Sequence, residues 1–191
     1  EPSIAVGERL RETFRRYLKA ENVEVVCNFE IKKLEKHDNG TTVTNGKVIY
    51  LFDHVINATS YQSLLPIDLP FQIDVVYQPC LALVYEDKMS GRLPFSFIVI
   101  DGWFPCIMPY NEQIEDKENN RKYILTHGKW TIMGSFKTAT ESNNLLATLD
   151  DQFIENEIKP LCEKEINRFW PKFGSQFEYR GWKGSTLAKI K

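Results

Sequence analysis

The sequence predicts an α+β chain, with a small helix, strand and meander portion over residues 1–66 and a mostly antiparallel sheet domain covered by helices over residues 67–191. Three observations lead there. Apolar residues recur at spacings of three and four between Ile4 and Ala20 and again between Asp151 and Phe169, which is the mark of helices with one buried face. Asp38-Asn39-Gly40 and Thr44-Asn45-Gly46 are hairpin turns inside a run of short β-branched stretches. Aromatic and β-branched segments then crowd into Phe71–Phe136, separated by Pro, Gly or charge clusters, as an antiparallel sheet requires.

Taken in order, the first helix carries Val6, Leu10, Phe14, Tyr17 and Leu18 on one side and charged residues on the other, and packing on a sheet is expected of the apolar side. Val23–Cys27 reads as a strand, and Phe29–Leu34 alternates with period two. The two turns then give a three-stranded meander from about Phe29 to Phe52. His54–Ala58 reads as a further strand that stops in the small residues Thr59 and Ser60, where a backbone or ligand can come close. Tyr61–Pro66 is expected to be a turn or short helix.

In the second part the strand segments are Phe71–Glu86, Phe95–Asp101, Trp103–Tyr110, Tyr123–His127 and Trp130–Phe136. Pro79 marks a bend, a bulge or an edge, and the charged run Asn111–Arg121 an exposed loop. Pro160 should kink or divide the helix Asp151–Phe169, Trp170-Pro171 ends it, and Gln176–Trp182 alternates as a strand.

Composition narrows the function. At 42% hydrophobic, 26% charged and a net charge of -2, the chain offers no electrostatic case for nucleic acid or an anionic membrane. No stretch approaches the ~20 apolar residues of a membrane span. Cys27, Cys80, Cys106 and Cys162 form no CxxC pair, so neither a zinc cluster nor a disulfide framework is suggested and a reducing, cytoplasmic setting is expected. Glu1 lacks the look of a natural start and Lys191 follows an unfinished-looking stretch, so N- and C-terminal parts of its own chain are expected to be missing.

Asp53-His54-Val55-Ile56-Asn57-Ala58-Thr59-Ser60 resembles the acidic-x-Val-Ile-Asn-Ala-Thr-Gly strand of FAD-dependent oxidoreductases of the D-amino-acid oxidase and glycine oxidase type, with Ser60 in place of the glycine. Gly102-Trp103-Phe104-Pro105, Gly128-Lys129-Trp130-Thr131-Ile132-Met133-Gly134-Ser135, Trp170-Pro171-Lys172-Phe173 and Trp182-Lys183-Gly184 are similar to that family's substrate-domain segments in the same order. The resemblance implies a partial FAD-binding domain over 1–66 and a substrate domain over 67–191, FAD as cofactor of the full-length protein, and hydride transfer from a C–H/C–N or C–O bond of a small-molecule substrate. It puts Ile31, Ala58, Thr59 and Ser60 beside the cofactor.

No GxGxxG turn occurs, so the phosphate cradle lies outside this sequence and FAD is not expected on this chain alone. Where amino-acid oxidases place a carboxylate-binding arginine, Thr186 stands, which argues against a free α-amino acid. Tyr110, His127, Lys129, Trp130, Arg180, Trp182 and Lys183 are the candidates for orienting a polar substrate. Each also has an ordinary reading: the tryptophans as core, Lys129 as a solvated turn residue, His127 as a strand end capped by backbone. No catalytic dyad or triad is visible. A stand-alone α+β binding module without catalysis is the competing reading.

Overall fold

The computed structural model describes residues 6–58, 74–89, 94–100, 102–111 and 122–190. The chain divides into two compact units, residues 1–16 with 74–191 and residues 17–73.

The larger unit is built on β5 (Val75–Asp87), which pairs antiparallel with β8 (Lys122–His127) on one side and with β9 (Phe177–Ile190) on the other. The sheet order is β1 (Val6–Gly7), β7 (Pro105–Asn111), β8, β5, β9, with β7 also carrying the short β6 (Phe97–Ile98). One face is covered by helices, as the segment pattern requires. Leu81, Leu83 and Tyr85 of β5, Ile107 of β7, and Tyr123 and Leu125 of β8 alternate inward. They pack on Ile154, Ile158, Cys162 and Ile166, and Phe173 and Phe177 close the end of this core. Each such burial is worth roughly 1.5–3 kcal/mol.

The covering layer starts with α2 (Ala139–Thr148), which the apolar periodicity does not announce. Its signal is polar. Thr138 and Glu141 cap each other's backbone amides, a Thr-x-x-Glu box. The next helix runs as α3 (Asp151–Phe153), a π-helical stretch Ile154–Ile158 and α4 (Lys159–Phe169). Pro160, at the start of α4, thus divides it, the wider π turn taking up the proline that an unbroken α-helix would reject. α5 (Phe173–Gln176) leads into β9.

Several expectations are corrected here. The helix α1 is Glu8–Ala20, and Val6–Gly7 form β1, paired parallel with Tyr110 and Asn111 of β7. Its apolar side is open, with Phe14 60% and Tyr17 67% exposed, rather than packed on a sheet. β9 does not stop at Trp182, because β5 offers it partners as far as Val75↔Ile190. Trp130–Phe136 is a turn followed by two isolated bridges to β5, Ile132↔Cys80 and Phe136↔Tyr77. Pro79 explains this: lacking an N–H, it only accepts, from Met133 N at 2.8 Å, so no full ladder forms on that side. Of the expected strand Phe95–Asp101, Phe97 and Ile98 form β6 and Phe95 a single bridge, and Asp101 lies outside the described residues.

In the smaller unit the meander is as expected, β2 (Lys33–His37), β3 (Gly40–Thr44) and β4 (Ile49–Phe52) in that order. Val23–Cys27 and His54–Ala58 are not strands, since they have no ladder partner among the described residues. Asn22 and Asn28, at φ 56° and 57°, turn the chain at the two ends of the first. Tyr61–Pro66, and the Asn111–Arg121 run beyond Asn111, lie outside the described residues. Among the described residues no helix is long and apolar enough to cross a membrane, and no His/Cys/Asp/Glu group could hold a metal.

Candidate functional site

The face of the large sheet away from the helices carries the alternate residues of each strand. Gln78, Cys80 and Ala82 on β5, Tyr110 on β7 and Lys183 on β9 share it by parity. Tyr110 and Lys183 meet there, with the ammonium 5.4 Å from the ring centroid, within cation–π range. Near the start of β5 an open cavity of about 570 Å³ is lined by Gln78, Trp103, Gly128, Lys129, Ile132, Gly134 and Ser135. Its lining is mostly apolar with a few polar groups, the usual make-up of a small-molecule site.

The turn after β8 shapes this cavity. His127 is buried, and its Nδ1 accepts from the amides of Lys129 at 3.1 Å and Trp130 at 3.4 Å. Thr131 closes the same turn, accepting from His127 N at 2.9 Å and donating to His127 O at 2.8 Å. An accepting Nδ1 requires the neutral ring with the proton on Nε2. Burial pushes this imidazole below its ordinary value; the Glu165 carboxylate opposes that and Lys129 adds to it. His127 therefore holds the turn that presents Lys129, whose ammonium lies 4.4 Å from the Trp130 ring centroid. Gly128 is needed for contact: a Cβ there would sit 2.9 Å from Cε3 of Trp103, whose indole lies against this backbone at the cavity wall.

Other candidates point elsewhere. Trp182 packs against the core on the helix side and donates from Nε1 to Asp151 at 2.8 Å. Thr186, where the resemblance to amino-acid oxidases would put an arginine, is buried on that side too, bonded to Ser142 at 2.8 Å and Asn143 at 2.6 Å of α2. A guanidinium at 186 would have to enter the layer under α2. Arg180 is held by Glu86 and Glu178, each at 2.9 Å. It occupies a bulge, where Val84 pairs with Gly181 and Tyr85 with Tyr179, and Gly181 accepts the φ of 123° that turns the strand there. That extra residue is why Phe177 and Tyr179 share a face with Trp182 and Thr186.

The cofactor-side candidates belong to the smaller unit. Ile31 precedes β2 and is 37% exposed, Ala58 is an exposed residue of the irregular stretch after β4, and Thr59 and Ser60 lie outside the described residues. The sequence holds no GxGxxG turn to cradle a diphosphate, so the residues present do not make up a whole FAD site.

Comparison with known proteins gives one strong likeness. The chain is similar to FAD-dependent monooxygenases. It is 49% identical along its whole length to the FAD-dependent monooxygenase kojA of Aspergillus flavus, and equally to the probable FAD-dependent monooxygenase kojA of Aspergillus oryzae. It spans 45% of the length of each of these relatives. No family model matches the chain, and no solved structure matches it. The likeness supports an FAD-dependent oxidoreductase at that coarse level.

Gln78, Trp103 and Ser135 were not among the candidates. Gln78 does have a signal, as the polar residue that interrupts Val75-Val76-Tyr77-Gln78-Pro79-Cys80 in a strand otherwise apolar. Ser135 has none, because it reaches Gln78 across 57 residues of chain.

Proposed function

We propose that this chain is the substrate-binding part of an FAD-dependent oxidoreductase, which oxidises a small polar molecule at the cavity beside Gln78, Lys129 and Ser135. The 49% identity to FAD-dependent monooxygenases over the whole chain carries the reading. The relatives' name adds oxygen as co-substrate, which narrows the reading from oxidation in general to oxygen insertion. The amino-acid oxidase type is the less favoured form of this proposal, since Thr186 is buried beneath α2 and leaves no room for a carboxylate-binding arginine. Residues 1–66 would then belong to the FAD-binding domain and 67–191 to the substrate domain. The apolar side chains left open in the smaller unit, Ile49 at 70% and Ile56 at 91% exposure among them, are what a portion of a longer flavoenzyme would present to the rest of its chain.

The test is the visible spectrum of the protein expressed from its whole reading frame, followed by substrate-dependent oxygen uptake. Bound oxidised flavin and oxygen uptake are expected. A colourless, correctly folded whole protein would replace this reading with that of a non-catalytic binding module. The 191-residue chain purified alone should carry no stoichiometric FAD, and a yellow preparation with one flavin per chain would contradict the division proposed here.

A further inference from the structure

The cavity after β8 carries charge of one sign. Among the described residues its wall holds the Lys129 ammonium and no carboxylate. Glu165, the acid whose charge reaches the turn at His127, is already bonded to Arg168 at 2.7 Å. A second cation, Lys189 of β9, stands near enough for its charge to act on Cys80, which shares the open face with Gln78. Lys129 is exposed and makes no ion pair among the described residues, yet it is not a loose surface lysine. Its amide is held by Nδ1 of the buried His127 at 3.1 Å, Thr131 closes the same turn, and its ammonium rests 4.4 Å from the Trp130 ring centroid. A ring occupies one side of an ammonium and leaves N–H donors on the other. Fixing the side chain beforehand removes part of the ordering cost that makes most exposed ion pairs weak. The rest of the wall offers apolar surface, with Trp103 67% exposed beside Gly128 and Ile132 half-buried.

From this geometry we infer that the cavity is a recognition site for a small organic monoanion with an apolar body. The anionic oxygen lies on the Lys129 ammonium, and the body lies against Trp103 and Ile132. Lys129 sets the charge preference. A cation meets a like charge there and no carboxylate, so the α-ammonium of a zwitterionic amino acid is disfavoured on grounds separate from Thr186. The inference deepens the substrate reading above and rests on it only for the word substrate, because the site itself is built without flavin.

Phenylacetate, phenylacetamide and phenylacetamidinium share a ring and a shape and are anionic, neutral and cationic at neutral pH. Their binding to the protein expressed from its whole reading frame is followed by ligand-observed NMR titration. Phenylacetate should bind about fivefold more tightly than the amide, the equivalent of ~1 kcal/mol, with the amidinium weakest. In Lys129→Met, which keeps an unbranched apolar stem at an exposed position, acid and amide should bind within about twofold of each other. Trp103→Ala should weaken both and leave the order between them. No binding of phenylacetate up to its solubility limit, or an amide that binds as tightly as the acid, overturns the proposal. A preference that survives in Lys129→Met overturns it as well, and so does a Trp103→Ala protein that binds both probes like the native one. The flavin spectrum reads the oxidoreductase proposal separately. A colourless whole protein that keeps the anion preference leaves this site standing, and a flavin-bearing one that lacks it removes the site alone.

Discussion

Replacing His127 tests whether the turn that carries Lys129 is held by a neutral imidazole. The ring accepts two amides at Nδ1, of which the 3.1 Å bond to Lys129 N is the sound one and the 3.4 Å bond to Trp130 N is marginal. At about 1 kcal/mol for the first and less for the second, plus the space left by a ring only 3% exposed, His127→Ala should cost about 2–4 kcal/mol. His127→Asn puts an amide oxygen near the Nδ1 position, so it should recover about 1–2 kcal/mol of that. The wild type should also lose stability in acid. Burial lowers the folded-state value below the ordinary 6.5, so below about that pH the unfolded chain binds a proton that the folded chain refuses. The contribution is complete above 6.5 and is lost as pH falls through the lowered folded value. Urea denaturation from neutral to mildly acid pH, on wild type, Ala and Asn, measures both effects. An Asn variant with the same acid-side slope as wild type would show that His127 does not titrate as argued, and an Ala variant of native stability would refute the hydrogen-bonding role.

Four further outcomes follow from the same contacts. Thr138→Ala removes half of the box at the start of α2 and should lower stability by about 1 kcal/mol, or about 2–4 °C in a melt of a chain this size; an unchanged melting temperature counts against the cap. Trp182→Phe loses the 2.8 Å bond to Asp151 and should reduce stability by about 1 kcal/mol, and a variant as stable as the native chain would contradict a contribution from that bond. With a thiol reagent, exposed Cys27 should react first and Cys162, buried with its thiol pushed up to about 12, only on unfolding; fast labelling of Cys162 in the native chain would contradict the core described here. If the whole protein is the flavin oxidoreductase proposed above, simple D-amino acids and glycine should be poor substrates, and turnover near the ordinary ~10⁴ M⁻¹s⁻¹ efficiency would defeat the exclusion drawn from Thr186.

Local chemistry alone determined a good part of the molecule. Asn39-Gly40 and Asn45-Gly46 set the hairpins of the meander because turn geometry depends on adjacent residues, and Trp170-Pro171 ended α4 because a proline constrains its own neighbour. The alternation of Tyr123, Leu125 and His127 was enough to assign β8 and its buried face. Pairing was decided elsewhere. Val23–Cys27 and His54–Ala58 have strand composition, but a strand needs a partner ladder and these have none among the described residues. β9 runs beyond Trp182 only because β5 lies beside it for its full length, and the bulge at Arg180 reverses which of its side chains face the helices. The same dependence separated the site residues. Trp182, Lys183 and Thr186 are neighbours in sequence, yet Lys183 faces Tyr110 while the other two lie under the helices. Gln78 and Ser135 are 57 residues apart and become a pair only when the segment after Gly134 is laid against β5, a long-range contact that no local spacing encodes.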